Sequence, residues 1–297
     1  MVYSHTSVML DEIVSYLDPK PKEVIVDCTL GGAGYTSAIA GLVGKEGRVL
    51  ALDLDELAIS NAERLFKEKG IENVTMEQCN FKKIDEAVSK KLGSNKQVDG
   101  IVFDLGLSSA QLDDEARGFS FKGQRPLDMA FGPDNTRSTS DIVNNYSVEE
   151  LTGIFREYGE EKQAYKIAKR IAEERKSKRI ETTDDLVSII EKVIPLRPWS
   201  KIHPATKVFQ ALRIETNEEL ESLKIALEKS EKLLKKGGRL VVVSFHSGED
   251  RIVKNFLKER KNESFRIVTK KPIVATEMES KKNSRSRSAK LRAAIKN

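Results

Sequence analysis

The sequence predicts a doubly wound, Rossmann-like α/β core interrupted by an inserted helical domain. Short apolar runs alternate with single capped helical segments from residue 23 to 104, helical periodicity alone follows between 111 and 203, and the strand–helix alternation then resumes. At 297 residues the chain is long for one domain. The economical division is a core made of 1–110 and 204–297 around an insertion at 111–203.

Each element has a local reason. Glu23 to Asp27 is an apolar run that ends in a glycine-rich turn, and Tyr35 to Val43 supplies the next helix. Arg48 to Asp53 reads as the second strand, Glu56 to Lys69 as a helix stopped by Gly70, and Asn73 to Glu77 as the third strand. A helix over Ile84 to Leu92 leads to a fourth strand, Val98 to Asp104. Strands joined by single helices demand right-handed crossovers and a parallel sheet covered on both faces.

In the insertion, Ser147 and Glu150 form a capping box for a helix with Leu151, Ile154, Phe155 and Tyr158 on one face and Gly159 as its stop. Ala164, Ile167, Ala168, Ile171 and Ala172 mark a second helix; Leu186, Ile189, Ile190 and Val193, behind Thr182 and Thr183, mark a third, closed before Pro195 and Pro198. Beyond it, Thr216 and Glu219 suggest a cap for a helix bearing Leu220, Leu223, Leu227 and Leu234, ending at Lys235 to Gly238. Arg239 to Phe245 reads as a buried strand and Glu249 to Arg260 as a helix, and Phe265 to Thr269 is expected to pair with Lys290 to Ala294.

Composition narrows the function. Hydrophobic residues are 39% and charged residues 33%, and no apolar stretch approaches the ~20 residues that span a bilayer. Met1 to Tyr16 lacks the basic and apolar regions of a secretory signal, which places the protein in the cytoplasm. Cys28 and Cys79 with His5, His203 and His246 give no zinc-ligand spacing, so no metal site is expected. The net charge of +5 is uneven: residues 254–297 hold 14 Lys/Arg against 4 Asp/Glu, a net of +10. A basic end on a mildly acidic body suggests a polyanionic partner.

The turn after the first strand reads Asp27-Cys-Thr-Leu-Gly-Gly-Ala-Gly34. Glycines let backbone approach a ligand closely, and the following helix offers free N–H groups. Asp53 ends the second strand where a carboxylate can accept bonds from ribose hydroxyls, with Asp55 as a competitor. The turn lacks the last glycine of G-x-G-x-x-G, which disfavours a nicotinamide cofactor, and no phosphate-loop motif occurs. An adenosine-type ligand without a diphosphate remains.

Further motifs make the resemblance specific. The chain carries His5-Thr-Ser-Val-Met-Leu10, Asp104-Leu-Gly-Leu-Ser-Ser-Ala-Gln-Leu-Asp113, Arg117-Gly-Phe-Ser-Phe121, Pro126-Leu-Asp-Met129, Phe209-Gln-Ala-Leu-Arg-Ile214, Ser244-Phe-His-Ser247, Glu249-Asp-Arg-Ile-Val253 and Ser286-Arg-Ser-Ala-Lys-Leu-Arg292. In this order and nearly end to end it resembles the RsmH (MraW) family, whose members methylate the N4 amine of a cytosine in the decoding region of small-subunit rRNA. The resemblance implies S-adenosylmethionine as cofactor, bound by Ala33, Gly34, Tyr35, Asp53, Phe81, Asp104 and Gln111, and a partner in small-subunit rRNA, naked or within an assembled subunit, rather than DNA or a membrane. Asp53 would hold the ribose, Phe81 the adenine face, and Asp104 the sulfonium and amino-acid end. The chain departs from the family's usual form at Ser7, Ala33, Tyr35, Ala130, Phe131 and Gly248.

Methyl transfer from a sulfonium is an in-line displacement, so positioning dominates. The cytosine amine is a poor nucleophile, and acceptors on its N–H groups help localise its lone pair. Asp104, Ser108 or a backbone carbonyl between them is the expected acceptor. C5 chemistry would need a cysteine beside the same motif, and neither Cys28 nor Cys79 is there. The zinc deaminase signature is missing too. Rival readings are a NAD-type oxidoreductase and a non-catalytic ribosome-assembly factor with the same fold. For RNA, Arg285, Arg287, Lys290 and Arg292 are the expected phosphate contacts, aided by Arg170, Arg175, Lys176, Lys178 and Arg179 in the insertion.

Overall fold

The structure, a computed structural model, describes residues 7–107, 117–120, 123–132, 135, 137–196, 199 and 203–297. The chain folds as two compact units: Met1–Ser108 with Leu220–Asn297, and Ser109–Glu219.

In the first unit, β1 (Val24–Asp27), β2 (Arg48–Asp53), β3 (Val74–Gln78), β4 (Val98–Asp104) and β5 (Leu234–Ser244) are joined in parallel. Three more strands follow: β6 (Phe265–Ile267), β7 (Ile273–Val274) and β8 (Lys290–Lys296). The sheet order is β3-β2-β1-β4-β5-β8-β6, and β8 runs antiparallel to β5 while β6 and β7 pair with β8. The expected pairing of the segments around 265 and 290 is therefore present, with β8 an interior strand.

Alternate residues of the central strands face two apolar layers. On one side α1 (Leu10–Leu17) and α2 (Gly34–Val43) pack Ile13, Leu17, Tyr35 and Ile39 against Ile25, Val49, Val102 and Val241, and α3 (Glu56–Lys69) adds Ala62 and Phe66 over Ala51. On the other, α4 (Ile84–Leu92), α10 (Glu219–Leu233) and α11 (Ser247–Glu259) bring Ile84, Leu227 and Phe256 against Val26, Phe103 and Val242. Both faces are covered, as a doubly wound sheet requires. Local signals set the ends: Asp55 caps α3 by accepting the Leu57 N–H, and Gly70 closes it at φ 65°.

The second unit holds α5 (Thr139–Asn145), α6 (Val148–Glu157), α7 (Ala164–Glu174), α8 (Thr183–Val193) and α9 (Thr206–Asn217). Capping boxes start α5, α6 and α8 at Ser138, Ser147 and Thr182. Buried Leu151, Phe155, Ile167, Ile171, Leu186 and Ile190 form the helix-facing stripes. Asn217 ties this unit together at the end of α9: its side-chain amide donates to the Met129 and Arg213 carbonyls and its oxygen accepts from the Phe131 N–H and the Asn135 amide.

Three expectations are corrected. Thr216 does not cap a following helix; it lies inside α9, its hydroxyl bonded to that of Thr139 at 2.7 Å, and Glu218 takes the left-handed turn between helices. Leu234 is the first residue of β5, where it pairs with Val98 and is followed by an irregularity before Arg239. Gly159 does not supply a left-handed stop for α6, since Glu160 has the positive φ; a Cβ at 159 would instead come 2.5 Å from the Lys207 carbonyl oxygen.

Candidate active site

The carboxyl ends of β1, β2 and β4 bring Asp27, Asp53 and Asp104 to one edge of the sheet. In a doubly wound sheet this edge is where ligands bind. Asp27, fully buried, accepts the Thr36 hydroxyl at 2.6 Å and the Thr29 N–H at 3.1 Å, and the Thr29 hydroxyl accepts the Asp104 N–H at 2.7 Å. The first turn is thus laced both to its own helix and to β4.

Asp53 fastens the same turn from the other side. Its two carboxylate oxygens accept the Gly31 N–H at 2.8 Å and the Asp55 N–H at 2.9 Å. Burial raises its carboxyl to about 6, against those two backbone bonds, and the negative charges of Asp55 and Asp27 add to the rise. Ala33 caps α2 in the left-handed region at φ 59° and is buried. Gly34 follows where a Cβ would stand 1.9 Å from the Ser7 hydroxyl, so backbone and the segment at residue 7 approach as closely as atoms allow.

Tyr35 is buried, and its hydroxyl donates to the Val8 carbonyl and lies in reach of Asp104. Burial, with the charge of Asp104, lifts its phenol well above the usual range. Asp104 sits at the centre. Burial pushes its carboxyl far above the ordinary carboxylate range, the Tyr35 hydroxyl opposes the shift, and Asp27 and Glu249 reinforce it. Its Oδ1 is buried with no hydrogen-bond partner among the described residues, as are Ser244 Oγ and His246 Nε2 at the end of β5. A buried acceptor left alone costs free energy that a donor or cation recovers, so the edge fits a ligand carrying positive charge.

Phe81 begins a short 3-10 turn capped by Asn80, half-buried and edge-on to Phe103 with ring centroids 5.7 Å apart. Gln111 and Ser108 lie outside the described residues, as does His5. Asp27, Thr29, Thr36, His246 and Glu249 were not assigned site roles from sequence. The signal for Asp27 was its place at the end of the first strand. Cys28 is fully buried with its thiol pushed well up by burial, so it offers no nucleophile, and no group of three potential metal ligands occurs among the described residues.

The basic segment divides. Arg292 is revised from an RNA contact to an internal residue of β8: it is 7% exposed and its guanidinium holds both oxygens of Asp250, Nε to Oδ1 at 2.7 Å. Lys290 reaches the same carboxylate at 3.7 Å. Arg287 is exposed and donates to the Ser280 carbonyl, and Arg285 is half-buried in the turn before β8. In the insertion Arg170, Lys178 and Arg179 pair with Glu174, Asp185 and Asp141, and Arg175 donates to the Val143 carbonyl, while Lys176 is exposed. Of the cations expected to meet RNA, Arg170, Lys178, Arg179, Lys290 and Arg292 have acidic partners within the chain.

Comparison with known proteins agrees with this geometry. The MraW methylase family matches residues 2–297. Curated relatives named ribosomal RNA small subunit methyltransferase H, from Caldicellulosiruptor saccharolyticus and Clostridium botulinum, are 43% and 44% identical over 99% and 100% of this chain and all of their own length. Among solved structures, a candidate rRNA-methylase from Clostridium thermocellum aligns with a TM-score of 0.50 at 16% identity, covering 99% of this chain and 100% of that one. A candidate methyltransferase from Streptococcus mutans, solved with SAH, gives 0.50 at 13% with the same coverage, which speaks for the fold. With its whole length matched and its carboxylates gathered at the binding edge, the chain belongs to the MraW methylase family.

Proposed function

We propose that this chain transfers the methyl group of S-adenosylmethionine to the N4 amine of a cytosine in the decoding region of small-subunit rRNA, acting in the cytoplasm on an assembled or nearly assembled subunit. The observation that carries the chemistry is Asp104, a half-buried residue whose buried Oδ1 lacks any hydrogen-bond partner among the described residues, at the binding edge of a family whose relatives here are named for small-subunit rRNA methylation.

When bound, S-adenosylmethionine supplies an electrophilic methyl on a sulfonium. The chain's part is to hold and orient. Asp53 has lone pairs beyond its two backbone bonds with which to accept ribose hydroxyls, and the turn at Gly31 to Gly34 lets the ligand approach backbone. Asp104 is assigned the target amine: its carboxylate would accept an N–H and take the proton that nitrogen loses as it gains the methyl. Ser108 is retained as a second acceptor, and Phe81 and Gln111 as cofactor contacts. The unit Ser109–Glu219 is assigned to substrate recognition, with Lys176 among its exposed cations, and Lys290, Arg285 and Arg287 to rRNA phosphates.

The direct test is mass spectrometry of rRNA nucleosides after incubating small subunits with the protein and cofactor. N4-methylcytidine is expected; 5-methylcytidine, a methylated purine or no product overturns the reading.

Asp53 makes a separate prediction. Ribose hydroxyls donate to the ionised carboxylate, and that form is depleted as pH falls through about 6. Affinity for S-adenosylhomocysteine should therefore fall by about tenfold between neutral pH and one unit below that value, with a proton released on binding in this range. Asp53→Ala should weaken binding by roughly 1.5 to 3 kcal/mol and remove the pH dependence. Calorimetry showing the same affinity for both proteins across the range would dismiss the ribose assignment.

A further inference from the structure

β5 ends at Ser244, and the turn that follows carries a histidine whose hydrogen bonds set its tautomer. His246 is the N-cap of α11, and its Nδ1 accepts the N–H groups of Gly248 at 3.2 Å and Glu249 at 3.4 Å. A ring nitrogen that accepts from backbone donors carries no hydrogen, so the ring hydrogen is assigned to Nε2. In this setting Nε2 is the donor.

That donor is nine-tenths enclosed yet unused. The His246 side chain is 10% exposed and Nε2 has no hydrogen-bond partner among the described residues. Glu249 Oε1 is 3.2 Å from Nε2 without forming a hydrogen bond to it. Glu249 is held elsewhere: it is 2% exposed, and its Oε2 accepts the N–H groups of Phe245 at 2.7 Å and His246 at 3.2 Å. The carboxylate thus fixes the backbone from which the imidazole projects. Gly248 lies beside the ring: a Cβ there would come 3.1 Å from Cε1 and Nδ1.

The donor stands beside the chemistry. The exits of β4 and β5 are packed together: the Leu105 N–H bonds the Val243 carbonyl at 3.0 Å, and a Cβ on Gly106 would touch the Phe245 ring at 3.5 Å. Asp104 and Glu249 are close enough for their charges to act on each other. One strand end therefore offers an acceptor and its neighbour a donor. The edge of a cytosine has the complementary pair, an amine that donates and, next to it on the ring, the N3 lone pair that accepts.

We infer that His246 reads the N3 position of the target base through Nε2–H while Asp104 engages the adjacent amine, and that Glu249 positions the histidine. This rests on the reading of the chain as a cytosine-amine methyltransferase. The pairing accepts cytosine and rejects a base with a proton on the corresponding ring nitrogen, because two donors would then face each other in a buried place.

The test is a cycle between protein and substrate. Small subunits are reconstituted with cytidine or 3-deazacytidine, in which C–H replaces N3, at the target position, and single-turnover transfer is measured for the parent and for His246→Asn. Asparagine keeps the cap on α11 but has no donor at the Nε2 position, and His246→Asp, another strong cap, serves if the first variant melts early. The parent should lose more from the analogue than the variant does, by a factor of about ten, the worth of one buried hydrogen bond. Affinity for S-adenosylhomocysteine should be equal in both proteins. The same ratio of cytidine to analogue rates in parent and variant would overturn the role of His246 while leaving the methyltransferase reading intact. A parent that makes no N4-methylcytidine on the natural subunit would fell both.

Discussion

Asp104→Asn is expected to slow single-turnover methyl transfer by about a thousandfold, the scale for losing a positioned acid–base group together with its charge. The substitution keeps shape and one acceptor oxygen but can neither ionise nor take a proton. Burial holds the parent carboxyl above its ordinary range in the free protein, so a neutral amide of the same shape asks little of the surrounding fold. The melting temperature should therefore stay within a few degrees of the parent. Rapid-quench measurement at saturating cofactor, with affinity for S-adenosylhomocysteine taken alongside, separates loss of chemistry from loss of binding. A variant that transfers at the parent rate would reduce Asp104 to a structural acid.

Arg292→Ala is expected to cost about 3 to 5 kcal/mol of stability, the range for stripping one partner from a buried ion pair. Arg292 Nε and Asp250 Oδ1 are 2.7 Å apart with side chains 9% and 14% exposed, and the arginine joins an interior strand to α11. Asp250 is held below its usual range because Arg292 and Lys290 outweigh the effect of its burial. Its contribution is complete above the unfolded carboxylate value near 4 and disappears as pH falls through the lower folded value, so the gap between parent and variant should narrow in acid. The double variant Arg285→Ala/Arg287→Ala should behave oppositely, retaining stability while weakening RNA binding and flattening its salt dependence by about 0.7 in log–log slope per lost phosphate contact. Denaturant titration and filter binding decide between them. A stable Arg292→Ala that binds RNA poorly would return the arginine to the RNA surface.

Periodicity and caps marked most of the fold because they act within a few residues. Arg48 to Asp53, Glu56 to Lys69, Ile84 to Leu92 and Val98 to Asp104 were all legible from apolar spacing with Asp55 and Gly70 as punctuation. Thr216 misled for the same reason: a capping pattern is local, whereas its hydroxyl answers to Thr139 across the helical unit. Leu234 continued a leucine spacing that the pairing with Val98 overrides. At the binding edge, Asp53 and Asp104 were legible as strand-terminal carboxylates. His246 and Glu249 were visible as part of a motif, but their interest lies in which nitrogen is already occupied, and that depends on a turn geometry no spacing encodes. The charge of the C-terminal segment could be counted but not apportioned, since a count does not reveal that Asp250 claims Arg292.

The position of β8 governs when the protein can become whole. Lys290–Lys296 fills an interior place in the sheet, between β5 and the short strands β6 and β7. During synthesis β5 gains its parallel neighbour β4 well before it can gain β8, so it waits with a row of unpaired backbone groups along an apolar strand. Such an edge invites pairing with another nascent chain. The strand that waits also carries Ser244 and leads directly into His246. The ribosome must therefore deliver residue 296 before β5 gains its second neighbour and the floor of this edge is buttressed.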